Sequence, residues 1–149
     1  MAIAPNTTFV SGAVLTAAQM NAFGFGIVNL AIVSSNFAPS STPSDFASLT
    51  FTAIANRYYK YSVFVPGADS DASRTLTISL TNSANVAVNA AAQTLRGPGL
   101  LDIISFTTVR TETAGSLTRK IRMSTSAGNA SMCSATSIGY FLIEDIGPA

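Results

Sequence analysis

The chain has no histidine and no tryptophan, a single cysteine, and only 10% charged residues, 8 Lys+Arg against 7 Asp+Glu in 149. Without histidine, no side chain carries an unperturbed pKa between 5 and 8, so acid–base catalysis would fall to a few carboxylates and two lysines. The lone Cys133 excludes an intrachain disulfide and reads as a small buried apolar residue, because no imidazole is present to activate it. A typical soluble domain carries about 25% charged residues. A chain at 10% charge and 48% hydrophobic residues lacks the usual ionic coat, so part of its apolar surface is expected to lie against neighbouring subunits.

Other absences narrow the function further. The net charge is +1 and the basic residues are scattered, with only Arg119, Lys120 and Arg122 close together, so no nucleic-acid partner is expected. The first Lys or Arg is Arg57, so the positive start of a secretory signal is missing. The longest apolar stretch, Ala22 to Val33, is broken by Gly24, Gly26 and Asn29. It falls short of the roughly 20 residues that a membrane span needs. The texture of Phe23-Gly24-Phe25-Gly26-Ile27-Val28 would also suit a membrane-active peptide, but a strand preceded by a turn explains it more simply.

What is present is unevenly distributed. Residues 2–44 hold no charged side chain, and all 15 charges lie between Asp45 and Asp145. A free tail is normally polar, yet this stretch carries Phe9, Val10, Leu15, Met20, Phe23, Phe25 and Ile27, which mark it as an anchoring or oligomerisation segment. Within it, Thr16-Ala17-Ala18-Gln19 fits a capping box, with Leu15 and Met20 as the hydrophobic staple and Gly24 as the stop. The spacing predicts a short helix over 17–23 and an apolar strand over 27–33.

From residue 45 to 149 the apolar period becomes two, the mark of half-buried strands. Leu49, Phe51 and Ala53 alternate with threonines, and Tyr59, Tyr61, Val63 and Val65 with Lys60, Ser62 and Phe64. Leu76, Ile78 and Leu80 lead through Asn82-Ser83-Ala84-Asn85 into Val86 and Val88, a hairpin. The run 101–109 and the run 117–123, joined by Thr113-Ala114-Gly115-Ser116, read as another hairpin. Two last runs cover 130–136 and 138–146. Roughly eight short strands with Gly/Ser/Asn turns predict an all-β fold, an antiparallel β-sandwich of jelly-roll type with a short N-terminal helix and an extended arm.

No catalytic constellation emerges. Asp69 and Asp71 lack the further oxygen donors of a calcium loop and fit a turn. Glu144 and Asp145 are adjacent on a strand, so they point to opposite faces and read as a solvated strand end. Ser116 and Lys120 share only even spacing, and Gly97-Pro98-Gly99 lacks the Lys-Ser/Thr of a phosphate loop. No catalytic residue, cofactor or metal is expected. Tyr58, Tyr59 and Tyr61 form either a sugar-stacking receptor contact or, by their alternation, core and subunit contacts.

Ala4-Pro5-Asn6-Thr7-Thr8-Phe9, Val14-Leu15-Thr16-Ala17-Ala18-Gln19-Met20-Asn21-Ala22-Phe23, Phe51 to Tyr61 and Phe141-Leu142-Ile143-Glu144-Asp145-Ile146-Gly147-Pro148-Ala149 resemble small virion structural proteins of tailed bacteriophages. These are of the minor tail, tail-fibre or head-decoration type. The chain departs from them at Phe25-Gly26, where a proline is expected. The resemblance implies a non-enzymatic virion subunit, made in the bacterial cytoplasm, that docks on another virion protein through its N-terminal segment. Its self-association as a homotrimer is expected by analogy with phage jelly rolls. The alternative is a module at the tail tip that binds a host cell-surface glycan through loops such as 66–74, 93–99 and 125–129.

Overall fold

A computed structural model describes residues 26–149 of the chain. The expected helix at 17–23, and Phe9, Val10, Leu15, Met20, Phe23 and Phe25, lie outside the described residues. Nine strands follow in order: β1 (Gly26–Val33), β2 (Ser44–Ala53), β3 (Arg57–Ser70), β4 (Arg74–Asn82), β5 (Ala87–Leu95), β6 (Asp102–Thr111), β7 (Gly115–Thr125), β8 (Ala130–Ser131) and β9 (Gly139–Pro148). They form two antiparallel sheets, β1-β9-β3-β6 with the short β8 beside β3, and β2-β7-β4-β5.

The pairings nest. β4 pairs with β5, β3 with β6, β2 with β7 and β1 with β9, as in one long hairpin. That ribbon is rolled so that successive pairs alternate between the sheets, and β9–β3 and β7–β4 contacts close each sheet. Two antiparallel sheets of four long strands each, with the short β8 added to the first, connected in this way make a jelly roll.

The alternation in sequence becomes the core directly. Leu49, Phe51, Tyr59, Tyr61, Val63, Val65, Leu76, Ile78, Leu80, Ile104, Phe106, Ile121, Met123, Phe141 and Ile143 are buried between the sheets. The Phe51 ring lies 5.2 Å from that of Tyr59 and 6.4 Å from that of Tyr61, and Tyr61 stacks on Phe141 at 6.5 Å. Cys133 is buried as expected, and burial raises its thiol pKa against a hydrogen bond from the Gly139 backbone.

Three expectations need correction. The strand predicted at 27–33 is β1, but it is hydrogen-bonded along β9 from Gly26 to Val33. The sandwich therefore begins by residue 26 rather than at 45. The runs 101–109 and 117–123 are not a hairpin, because β6 and β7 lie in different sheets. A period of two reports which side of a strand is buried; it does not report whether the next strand joins the same sheet. Asp145 is not at a solvated strand end. It is buried, and Arg57 Nε donates to it at 2.5 Å.

Candidate functional site

The two outer sheet faces differ in chemistry, and the difference follows from the residues between the core positions. On the second sheet these are Asp45, Ser48, Thr50, Thr118, Lys120, Arg122, Ser124, Thr77 and Ser79, held in cross-strand register. Asp45 lies 3.0 Å from Lys120 Nζ and 2.8 Å from Arg122 Nε. The Lys120 hydrogen bond leads in holding the Asp45 carboxyl below its ordinary pKa, against some desolvation, with Arg122 adding to it. This face has its own ionic coat.

The first sheet's outer face is largely apolar. Its rows read across β1, β9, β3 and β6 as Ile32, Tyr140, Phe64, Ser105, then Leu30, Leu142, Ser62, Thr107, then Ile27, Glu144, Lys60, Val109. Ile27 is 67% exposed, Ile32 62% and Ile103 63%, and Leu30, Tyr58, Val109 and Ile146 are exposed with them. Phe64 and Tyr140 stack in its middle with centroids 5.7 Å apart. The charges on these rows, Lys60 and Glu144, pair with each other at 2.8 Å. Large aliphatic side chains exposed on one face, against Thr, Ser and paired charges on the other, make the first sheet's outer face the candidate interaction surface.

The anchoring and tyrosine candidates separate in space. Ile27 stands on the apolar face. Tyr58 is 40% exposed at the end of that face, whereas Tyr59 and Tyr61 are core residues, 1% and 0% exposed. The tyrosine oxygens of this pair are internal: Tyr59 Oη accepts from the Ile54 backbone N–H at 2.8 Å, and Tyr61 Oη donates to Glu112 at 2.7 Å. The three rings therefore do not form one stacking platform.

At that same end of the sandwich, Glu112 closes the corner between β6 and β7. It accepts from Arg119 Nε at 3.0 Å and from Arg119 Nη2, while Arg110 Nε stands 3.1 Å away without the alignment of a hydrogen bond. Burial alone would raise the Glu112 pKa. The hydrogen bonds from Arg119 and Tyr61, with the charges of Arg119 and Arg110, outweigh it and hold the carboxyl below its usual value. For Tyr61, burial leads and the neighbouring carboxylate adds to it, so its pKa is raised. Sequence reading missed this cluster, since Tyr61 is distant from Glu112 in sequence and only the corner between β6 and β7 turns Arg119 back onto Glu112.

The opposite end gathers the loops singled out as receptor contacts. Asp69, Ser70, Asp71, Pro98 and Asn129, with Ala38, Ala130 and Ser131, line an open cleft of about 470 Å³. Asp69 Oδ1 accepts from the Ser70 and Gly99 backbone N–H groups at 2.8 and 3.1 Å, and Asp71 pairs with Arg74 at 2.5 Å. Both carboxylates thus serve loop structure. Among the described residues, no group of three or more His, Cys, Asp or Glu is placed to hold a metal ion. No helix among them is long and apolar enough to cross a membrane.

No protein-family model matches the chain, and no curated protein matches it in sequence. Among solved structures, it is similar to infectious bursal disease virus, Gx strain, at 18% identity and TM-score 0.48, over 82% of this chain and 32% of that one. The VP2 subviral particle of the same virus is similar at 10% identity and TM-score 0.43, over 81% and 42%. A structure titled "CBM4 structure and function" is similar at 12% identity and TM-score 0.38, over 87% and 83%. The chain spans about a third to two fifths of the two viral chains. The assignment to the jelly-roll class stands on the strand order itself.

Proposed function

We propose that this chain is a structural subunit of a tailed-phage virion, a capsid-decoration or tail component, that assembles through the outer face of its first sheet and does no catalysis. The observation that carries the assembly role is the unequal pair of sheet faces, one coated with Thr, Ser and ion pairs, the other with exposed Ile27, Leu30, Ile32, Ile103 and Val109. Burying such side chains stabilises contact by roughly 25 cal/mol per Å² of apolar area, less the cost of association. The phage assignment rests on the resemblance of the chain's two ends and its central segment. Self-association as a trimer and docking on another virion protein are parts of the same reading.

The test is particle composition. Mass spectrometry and immunoelectron microscopy of purified virions of the encoding phage should find the chain at a regular position and fixed copy number. Hundreds of copies over the shell mean decoration, and a few at the tail mean a fibre or tip part. Absence from purified particles would refute the proposal. The open cleft at Asp69, Pro98 and Asn129 favours one second reading, a tail-tip module for a host glycan. Purified chain that binds isolated host cell walls, and loses binding on Asn129→Trp, would support it.

A further inference from the structure

We infer that β5 pairs with β5 of a second copy of this chain, antiparallel about a two-fold axis at Ala92, so that the second sheets of two subunits become one continuous sheet. This goes beyond the assembly reading above, which concerns the face of the other sheet, and depends on it only for bringing the copies together. The sheets end in β1 and β6 and in β2 and β5. An open edge presents unpaired N–H and C=O groups to any other strand, and natural edges carry charges, bulges or caps against it. β1 is bulged between Ile27 and Asn29, and Asn29 Oδ1 accepts from the Leu30 N–H at 2.9 Å. β2 is bulged beside the charged Asp45, and its Thr50 carbonyl accepts from Asn29 Nδ2 at 2.9 Å. β6 carries Asp102 and Arg110, and its Ile103 carbonyl accepts from Gln93 Nε2 at 2.9 Å. Of these edges, β5 alone has no charge, proline or glycine, and its bulge is confined to Val88 at the start.

The ladder shows which groups of β5 are free. The Thr75 carbonyl accepts from the Ser126 N–H at 2.8 Å, away from β5, and past the bulge the Asn82 N–H donates to the Val86 carbonyl at 3.0 Å. Hydrogen-bonded pairs alternate along an antiparallel ladder. Leu76, Ile78 and Leu80 therefore bond to Gln93, Ala91 and Asn89, and the N–H and C=O groups of Ala90, Ala92 and Thr94 point off the sheet. The outward Ala90 N–H is capped by Asn89 Oδ1 at 2.8 Å. Ala92 and Thr94 are exposed, and no strand among the described residues pairs with that side of β5. A second copy fits this edge. With Ala92 on the axis, its N–H and C=O meet those of its own copy, Ala90 meets Thr94 of the second copy, and no charged side chain of β5 is set against its like. A few backbone hydrogen bonds do not offset the freedom lost on association. The edge thus pairs between chains that the first-sheet faces already hold in oligomers, each presenting several edges at once. Such an isologous contact adds two-fold axes to the ring those faces close.

Amide hydrogen exchange of the full chain tests this. In the wild-type oligomer the Ala92 and Thr94 amides should be as protected as those of Ala91 and Gln93. In the monomeric Ile32→Lys, Ile103→Lys chain they should exchange freely while Ala91 and Gln93 stay protected. A Cys133→Ala chain carrying Ala92→Cys has a single thiol, and its oligomer should form a disulfide-linked dimer on mild oxidation. Thr77→Cys in its place, one strand in from the edge, should not. Ala92→Pro removes a donor that the β4 ladder does not use, so the fold should persist while Thr94 loses its protection. Free exchange at Ala92 and Thr94 in the wild-type oligomer would overturn the inference. So would protection that persists in the monomer, where only the chain itself can cover the edge, or protection in the oligomer without the Ala92→Cys cross-link, which would assign the edge to another surface. A wild-type chain that is monomeric at every concentration would defeat the assembly reading, and this contact with it.

Discussion

Glu112 is the residue with most at stake, because its side chain is nearly inaccessible and three side chains converge on it. Glu112→Gln removes the charge that compensates the buried Arg119 guanidinium. Breaking a buried pair by removing one partner costs about 3–5 kcal/mol, to be read from urea denaturation at neutral pH. The pH dependence has a definite sign. The folded pKa of Glu112 lies below its unfolded value, so its contribution is fully present above the unfolded value and is lost as pH falls through the folded one. The glutamine variant should therefore show a shallower loss of stability on acidification than wild type. By contrast, Lys60→Ala breaks a half-exposed pair and should change stability by only about 0–1 kcal/mol. Core truncation is the other residue-scale effect: Phe141→Ala should cost about 3–5 kcal/mol.

Individual strands were legible in the sequence because burial on one face writes itself as alternation. Leu76, Ile78 and Leu80, or Tyr59, Tyr61, Val63 and Val65, face the core as their spacing predicts. The β4–β5 hairpin was legible too, since Asn82 Oδ1 accepts from the Ala84 and Val86 backbone N–H groups at 3.0 Å and Asn85 adopts φ 64°, the chemistry of a turn. The corners were not. Residues 113–116 read as a hairpin turn, yet the 112–114 link, like that at 54–56, carries the chain from one sheet to the other. The deciding contacts, Tyr59 with Ile54 and Glu112 with Arg119, depend on the tertiary fold. Close packing at the start of β9 was equally silent. A Cβ on Gly139 would sit 2.7 Å from Cys133 Sγ and 3.0 Å from Phe46 Cζ. Gly139→Ala should destabilise by about 1–3 kcal/mol through overpacking. Adding Cys133→Ala should recover part of the loss in thermal melts.

For the whole molecule, nested pairings that join Gly26 to Asp145 make most contacts distant in sequence. Such topologies fold on the slow side, in milliseconds to seconds, and the folded chain keeps Ile27, Leu30, Ile32, Ile103 and Val109 exposed on its first sheet. The chain's low charge is the sequence's clue to that exposed apolar surface. Which face would be apolar was not visible, because Leu101, Ile103 and Val109 on one side of β6 and Ile104 and Phe106 on the other are equally hydrophobic. Only the register of β6 on β3, which sets Ile104 beside Val65 and Phe106 beside Val63, decides between them. Assembly through this face is tested most directly by sedimentation equilibrium of three full-length proteins: wild type, Ile32→Lys with Ile103→Lys, and Thr50→Lys with Thr77→Lys as control. Wild type and control should sediment as the same oligomer. The Ile32→Lys and Ile103→Lys protein should sediment as a monomer with unchanged circular dichroism. A monomeric wild type, or an oligomer indifferent to lysines on the first sheet, would contradict assembly through this surface.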